Sequence, residues 1–204
     1  EMCIRDSSSA VGIADSIVHV GNTDTSIRFP SDDTFTVETA GSERIRVDSN
    51  GVICVKHTNA LHSGNLQVAT SGSDAIDVNA YSSTAGNGGR LSFYRSKNAS
   101  IGSNTIVADG DSLGRIDFRG YNTSGNSYNQ GATIEARVDG SVNSSTDMPT
   151  RLEFKTSQDG SASPTERLRI NSTGYVGVNS TGANNGPGAP LHIYGGSDTE
   201  PILA

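Results

Sequence analysis

The sequence has no tryptophan, only 5% aromatic residues and an apolar fraction of 33%. Even with its 24 glycines added the chain stands at or slightly below the roughly 45 to 50% of a typical globular chain on a count that includes glycine, so the supply of core side chains is thin. Cysteine is scarce too, two in 204 residues, which excludes a disulfide framework. No apolar run approaches the length of a membrane span, and the first residues do not pair a charged region with an apolar one, so neither membrane insertion nor a secretory signal is expected. Positive charge is the last shortage: the net charge is -7 and no basic cluster is present to neutralise phosphates, so nucleic acid is not an expected partner. Disorder would be the simple consequence of so few apolar residues. They alternate with polar ones in short runs, however, and the charged fraction is a modest 18%, which argues for a folded body. One-sided strands with long polar loops point to a core shared between copies of the chain.

What the chain has instead is a stretch used twice. Ser42-Glu-Arg-Ile-Arg-Val-Asp-Ser-Asn-Gly-Val-Ile-Cys-Val55 returns as Thr165-Glu-Arg-Leu-Arg-Ile-Asn-Ser-Thr-Gly-Tyr-Val-Gly-Val178, with six of 14 positions identical and five conservative. Ile45 and Val47, like Leu168 and Ile170, share one parity, the period-2 pattern of a half-buried strand. Asp48 to Gly51 and Asn171 to Gly174 then supply an Asx residue and a terminal glycine, the chemistry of a tight reversal in which the glycine takes positive φ. A second strand leaves through Ile53 and Val55, or Val176 and Val178. Cys54/Gly177 and Val52/Tyr175 differ freely between the copies, so the face they occupy is expected to be wet.

These residues carry a family resemblance. The run from Gly41 to Gly51, its second copy from Pro164, the segment Ile13 to Val20 leading to Ile27-Arg-Phe-Pro30, and Gly131 to Gly140 followed by Met148 to Phe154 are similar to tail-fibre proteins of bacteriophages, marine ones in particular. The resemblance implies an all-β, elongated, trimeric fibre of short strands and long polar loops. It also implies a virion component assembled in the host cytoplasm, with other tail-fibre or baseplate proteins as partners and host surface polysaccharide as a further one. The repeat departs from the family where a Gly-Ile-Gly-Thr-like run is replaced by Val176-Gly-Val-Asn179 and, in the first copy, Ile53-Cys-Val-Lys56.

Four segments follow from the pattern. Residues 1–7 read as a non-native leader, 8–64 as a first β module, 65–160 as short strands with Gly/Ser/Asn loops, and 161–204 as the second repeat with a connector. Within residues 8–20 the apolar spacing fits either a loose strand pair or one helical turn. Short strands are expected at 27–29, 34–38, 65–68 and 75–78, the last two around a turn at 70–73, and the linker 180–190 precedes a final strand at 191–194. Arg90-Leu-Ser-Phe93, Arg115-Ile-Asp-Phe118 and Arg151-Leu-Glu-Phe154 repeat one unit, with Thr133 to Ala136 a weaker relative. In each the Leu or Ile and the Phe are expected to point inward, and Ser92, Asp117, Glu135 and Glu153 outward. Residues 121–131 and 139–147 are expected to be outward loops.

No catalytic, cofactor or metal residues emerge. The carboxylates Asp109, Asp111, Asp117, Glu135, Asp139 and Glu153 could supply the acid and base of a polysaccharide-degrading tailspike only by converging in a groove, and strand faces and turns account for them. Asp109-Gly-Asp111 resembles the start of a calcium loop, but Leu113 and Gly120 stand where oxygen ligands are needed, so it reads as a turn. His19, His57, His62 and His192 contain no chelating pair, and no nucleophile motif is present. Tyr94, Tyr121 and Tyr128, with Tyr81, sit beside polar loops, where aromatic faces flanked by Asn and Ser can stack on sugars. They are the glycan-contact candidates, although capping of strand ends is the favoured account of them. The expectation is a non-enzymatic fibre segment; a tailspike enzyme and a bacterial surface adhesin are the alternatives.

Overall fold

The computed structural model describes residues 13, 15–73, 75–122, 127–179 and 191–193. Among them every regular element is a strand, as expected of an all-β chain. The chain divides into two compact units, Glu1–Arg90 and Leu91–Ala204, each built on one six-stranded sheet. The leader 1–7 and the linker 180–190 lie outside the described residues.

In the first unit β1 (Ser16–His19), β2 (Asn22–Arg28), β3 (Phe35–Thr39), β4 (Ser42–Val47), β5 (Ile53–Val55) and β6 (Leu66–Val68) lie side by side in chain order. The first five form an antiparallel meander; β6 returns parallel to β5. The second unit runs β7 (Ser112–Asn122), β8 (Ser127–Val138), β9 (Thr150–Thr156), β10 (Thr165–Ile170), β11 (Val176–Val178) and β12 (Leu191–Ile193), again antiparallel until β12 joins β11 in parallel.

The two repeat copies fold congruently. Asp48 Oδ1 accepts the Asn50 and Val52 amides at 2.9 Å each, and Asn171 Oδ1 accepts those of Thr173 and Tyr175 at 3.1 and 2.8 Å. Gly51 and Gly174 close these turns at φ +77° and +84°, a region open to glycine without a Cβ penalty. Glu43 clamps Arg46, and Glu166 clamps Arg169, through paired hydrogen bonds of 2.6 to 2.8 Å. The congruence extends past the 14 residues to the parallel strand: Ile53, Cys54 and Val55 pair with Leu66, Gln67 and Val68 as Val176, Gly177 and Val178 pair with Leu191, His192 and Ile193. A parallel return needs a crossover. In the first copy the buried Gln67 amide fastens it, donating to the His62 and Gly64 carbonyls and accepting from the Leu61 amide at 2.7 Å.

Several expectations are corrected. Residues 75–78 and 90–93 join no ladder. The polar stretch 121–131 is mostly a hairpin stem rather than a loop, because β7 runs to Asn122 and β8 starts at Ser127. The face holding Cys54, Gly177 and Tyr175 is the covered one: Cys54 and Gly177 are buried and Tyr175 half-buried. Glu135 and Glu153, expected outside, are each 3% exposed, whereas Ile116 is 43% and Phe118 53% exposed. The burial corrections share a cause: long Arg, Lys and Gln side chains fold over the polar face of each sheet, while among the described residues little covers the apolar face.

Candidate functional site

Register sorts the side chains of the second sheet onto two faces, because directly paired residues point the same way. One row crosses β7 to β10 as Arg115, Glu135, Glu153 and Arg169. Two carboxylates directly opposed would repel. Lys155 lies between them, its Nζ 2.8 Å from Glu135 Oε2 and 2.7 Å from Glu153 Oε2, and Arg151 and Arg169 add further cations to Glu153. Arg137 Nε stands 3.0 Å from Glu135 Oε1 and adds a further ion pair. Burial alone would raise the Glu135 carboxyl; Lys155 and then Arg137 outweigh it and hold the group at about 2. Glu153 is likewise lowered, burial being overcome by Arg151 and Lys155. A general acid needs its pKa raised toward neutrality. These carboxylates are held firmly ionised, an arrangement suited to fastening strands.

Asp139 extends the network to the second repeat. It pairs with Arg151 at 3.1 Å and accepts the Ser172 amide at 2.9 Å, tying the β8–β9 loop to the Asn171 turn. Asp111, expected in a turn, accepts the Ala108 amide and Lys97 there, with Gly110 at φ +80°.

The opposite face is apolar in both units. In the second, Ile116, Ile134, Phe154, Leu168 and Val178 form one row, and Ala136, Leu152, Ile170 and Val176 the next. Phe93 lies over Gly114 at the edge of this face, where an added Cβ would come within 2.7 Å of the Phe93 Cβ. Beside it is an open cleft of about 270 Å³ lined by Phe93, Leu113, Gly114, Arg115, Ile116, Ile134, Ala136 and Leu152. In the first unit the row is Ile17, Ile27, Val37, Ile45, Val55 and Val68, flanked by Phe35, Val47, Ile53 and Leu66. None of the residues in these rows is charged. Every one of them is half-buried or exposed within one chain.

The glycan-contact candidates separate. Tyr121 and Tyr128 are cross-strand partners near the β7–β8 hairpin end, ring centroids 5.3 Å apart and edge-on. Tyr121 also borders an open polar hollow with Asn122, Asn129, Gln130, Ser157 and Ser161. Tyr94 and Tyr81 are almost fully exposed and make no ring contact among the described residues. The His57 ring bonds the Asn59 and Gln67 carbonyls, a role in holding the crossover. Among the described residues no three His, Cys, Asp or Glu side chains gather as a metal site. Burial, then the Asp48 charge, pushes the Cys54 thiol up, away from nucleophile chemistry.

No protein-family model and no curated protein matches this sequence. Among solved structures, the carboxy-terminal domain of the bacteriophage T5 L-shaped tail fibre aligns over 76% of this chain and 72% of that one, with a TM-score of 0.57 at 15% identity. The fold is that of a phage tail-fibre domain. The same T5 domain in the structure that includes its intramolecular chaperone domain aligns over 55% of this chain and 27% of that one, at 14% identity and a TM-score of 0.42.

Proposed function

We propose that the chain is a structural, non-enzymatic segment of a phage tail fibre, a homotrimer whose copies cover one another's apolar sheet faces and which carries or contributes to attachment to a host surface glycan. It would reside in the virion after assembly in the host cytoplasm, alongside other tail-fibre or baseplate proteins. The observation that carries this reading is the uncovered apolar face in each unit. Fully burying an Ile or Phe contributes roughly 1.5 to 3 kcal/mol, so covering side chains left about half exposed, such as Ile116 and Phe118, adds about 1 kcal/mol for each. A second copy offers the same face at the same concentration, and a closed ring of copies removes the exposure. The number three comes from the family resemblance; the exposed faces require only more than one.

Light scattering on the purified chain at micromolar concentration tests it. A particle of three times 21.2 kDa is expected; a folded 21.2 kDa monomer would refute the assembly. For the non-enzymatic part, incubation with surface polysaccharide of a susceptible host should leave its length unchanged, since Glu135 and Glu153 are committed to ion pairs. Newly formed oligosaccharides would favour the tailspike alternative.

A further inference from the structure

Asn-Gly pairs stand in the sequence at Asn50, Asn87 and Asn185, the last outside the described residues. By sequence the first two are equivalent; the fold makes them different. Asn50 is locked in the Asp48 turn: Asp48 Oδ1 accepts its amide at 2.9 Å, and the Gly51 N–H donates to the Asp48 carbonyl at 2.9 Å. Asn87 closes a looser turn from Thr84, its side chain exposed and tethered through Nδ2 to the exposed Ser82 Oγ at 3.2 Å. Among the described residues the Gly88 N–H has no hydrogen-bond partner, and a Cβ built on Gly88 meets nothing within 4 Å. At the Asp-Gly pairs of β-hairpin ends the glycine is again engaged, Gly110 donating to the Val138 carbonyl at 3.0 Å and Gly140 to Asp109 Oδ1 at 2.9 Å.

We propose that Asn87 is a site of spontaneous deamidation, a slow self-modification that the fold permits there and prevents at Asn50. The Gly88 main-chain nitrogen, once its proton has passed to a base in solvent, attacks the Asn87 Cγ. The N–Cγ bond forms, the Cγ–Nδ2 bond breaks, and Nδ2 takes a proton from water and leaves as ammonia. Water then opens the cyclic imide at either carbonyl to give aspartate or isoaspartate, so one water enters, one ammonia departs and nothing is oxidised. The step needs a glycine nitrogen free of any acceptor, a main chain able to swing toward the side chain, and access for water. Gly88 supplies the first two, having neither a hydrogen bond nor a side chain to obstruct the approach, and the exposure of both residues supplies the third. At Asn50 the bonds of the Asp48 turn must open first. Each event adds a carboxylate to a chain of net charge -7. Isoaspartate also lengthens the main chain by one carbon just ahead of Gly89, whose Cα faces the Val78 carbonyl so closely that an added Cβ would run into its oxygen. The modification therefore unseats residues 88–90 from residues 75–78. None of this depends on the assembly reading above.

Peptide mapping by mass spectrometry tests the proposal on the purified full chain, aged in mildly alkaline buffer with and without urea and read as the amide-to-acid mass change at each Asn-Gly pair. In the native protein Asn87 should convert roughly tenfold or more faster than Asn50, because reaction at Asn50 waits on the loss of at least two hydrogen bonds. In urea the two rates should converge. Gly88→Ala meets no neighbouring atom and requires no positive φ, so it should keep the fold while slowing conversion at Asn87 several-fold. Equal native rates at Asn50 and Asn87 would overturn the selection by the turn. A native chain that keeps Asn87 intact while the urea-treated chain converts it would show the site shielded and overturn the proposal, as would conversion at Asn87 that Gly88→Ala leaves unchanged.

Discussion

Removing the charge of Glu135 should make stability much less sensitive to acid. Its carboxyl stands at about 2 in the folded chain against about 4.5 unperturbed. A folded-state value below the unfolded one stabilises the ionised protein, a contribution fully present above about pH 4.5 and lost as pH falls toward about 2. Converted at 1.36 kcal/mol per pH unit, the difference amounts to about 3 kcal/mol, an order of magnitude shared with Glu153, because Lys155 bridges both groups and they titrate as a pair. Glu135→Gln keeps the shape and abolishes the titration. Urea midpoints at fixed protein and salt concentration, measured at pH 7, 5, 4 and 3, should show the variant less stable than the wild type by about 2 to 3 kcal/mol at pH 7, with the gap closing toward pH 3. Carboxylates outside the Glu135–Lys155–Glu153 cluster titrate alike in both proteins, so the gap reports this coupled pair. Parallel curves across the range, or no gap at pH 7, would mean that the network holds no net stability.

Gly174→Val should lower the melting temperature by several degrees: a Cβ there meets nothing within 4 Å, so the whole cost, about 1 kcal/mol or more, comes from φ +84°. Gly114→Ala tests a steric constraint instead, since its Cβ would crowd the Phe93 Cβ at 2.7 Å; a loss of about 1 to 3 kcal/mol is expected that shrinks in a Phe93→Gly background, which removes that Cβ, and simple additivity in a double-mutant cycle would contradict the contact. Asp139→Ala should cost about 1 to 3 kcal/mol by leaving Arg151 and the Ser172 amide without their partner, and an unchanged urea midpoint would refute that role.

The repeat was legible because its strands alternate cleanly and its turns carry Asx and Gly where local hydrogen bonds and positive φ demand them. The parallel strand that completes each copy was not. Leu66-Gln-Val68 and Leu191-His-Ile193 resemble each other only over three residues, and the crossovers before them share no pattern. Alternation around Glu135 and Glu153 shows that the two faces of a strand differ; it does not say which face the chain itself covers. The usable signal was the cations at i±2 of each glutamate, Arg137, Arg151 and Lys155, which paired strands bring onto one face. The stretch 121–131 looked like a loop because Gly, Ser and Asn fill it, yet hairpin pairing with β7 holds such residues in a ladder without help from side chains. Of the glycan-contact tyrosines, the sequence could not reveal that Tyr121 and Tyr128 meet across that ladder while Tyr94 stands apart.

The two faces of each sheet divide the work, and the division can be separated by experiment. Ion pairs over the polar face join residues of one chain, so their contribution does not depend on how many copies are present. Among the described residues the apolar face has nothing comparable, and in the proposed assembly its cover comes from other copies at a concentration. Melting temperature should therefore fall when the protein is diluted a hundredfold, because assembly stabilises the folded state by mass action. Glu135→Gln should lower stability at every concentration and leave the particle mass unchanged. Ile116→Ser, on the apolar face, should instead shift the balance toward smaller particles, and its deficit should grow on dilution. If both variants behave alike, or if dilution leaves the melting temperature of the wild type unmoved, the apolar face is not an assembly surface, and its exposed Ile and Phe side chains would need covering by another segment of the same chain.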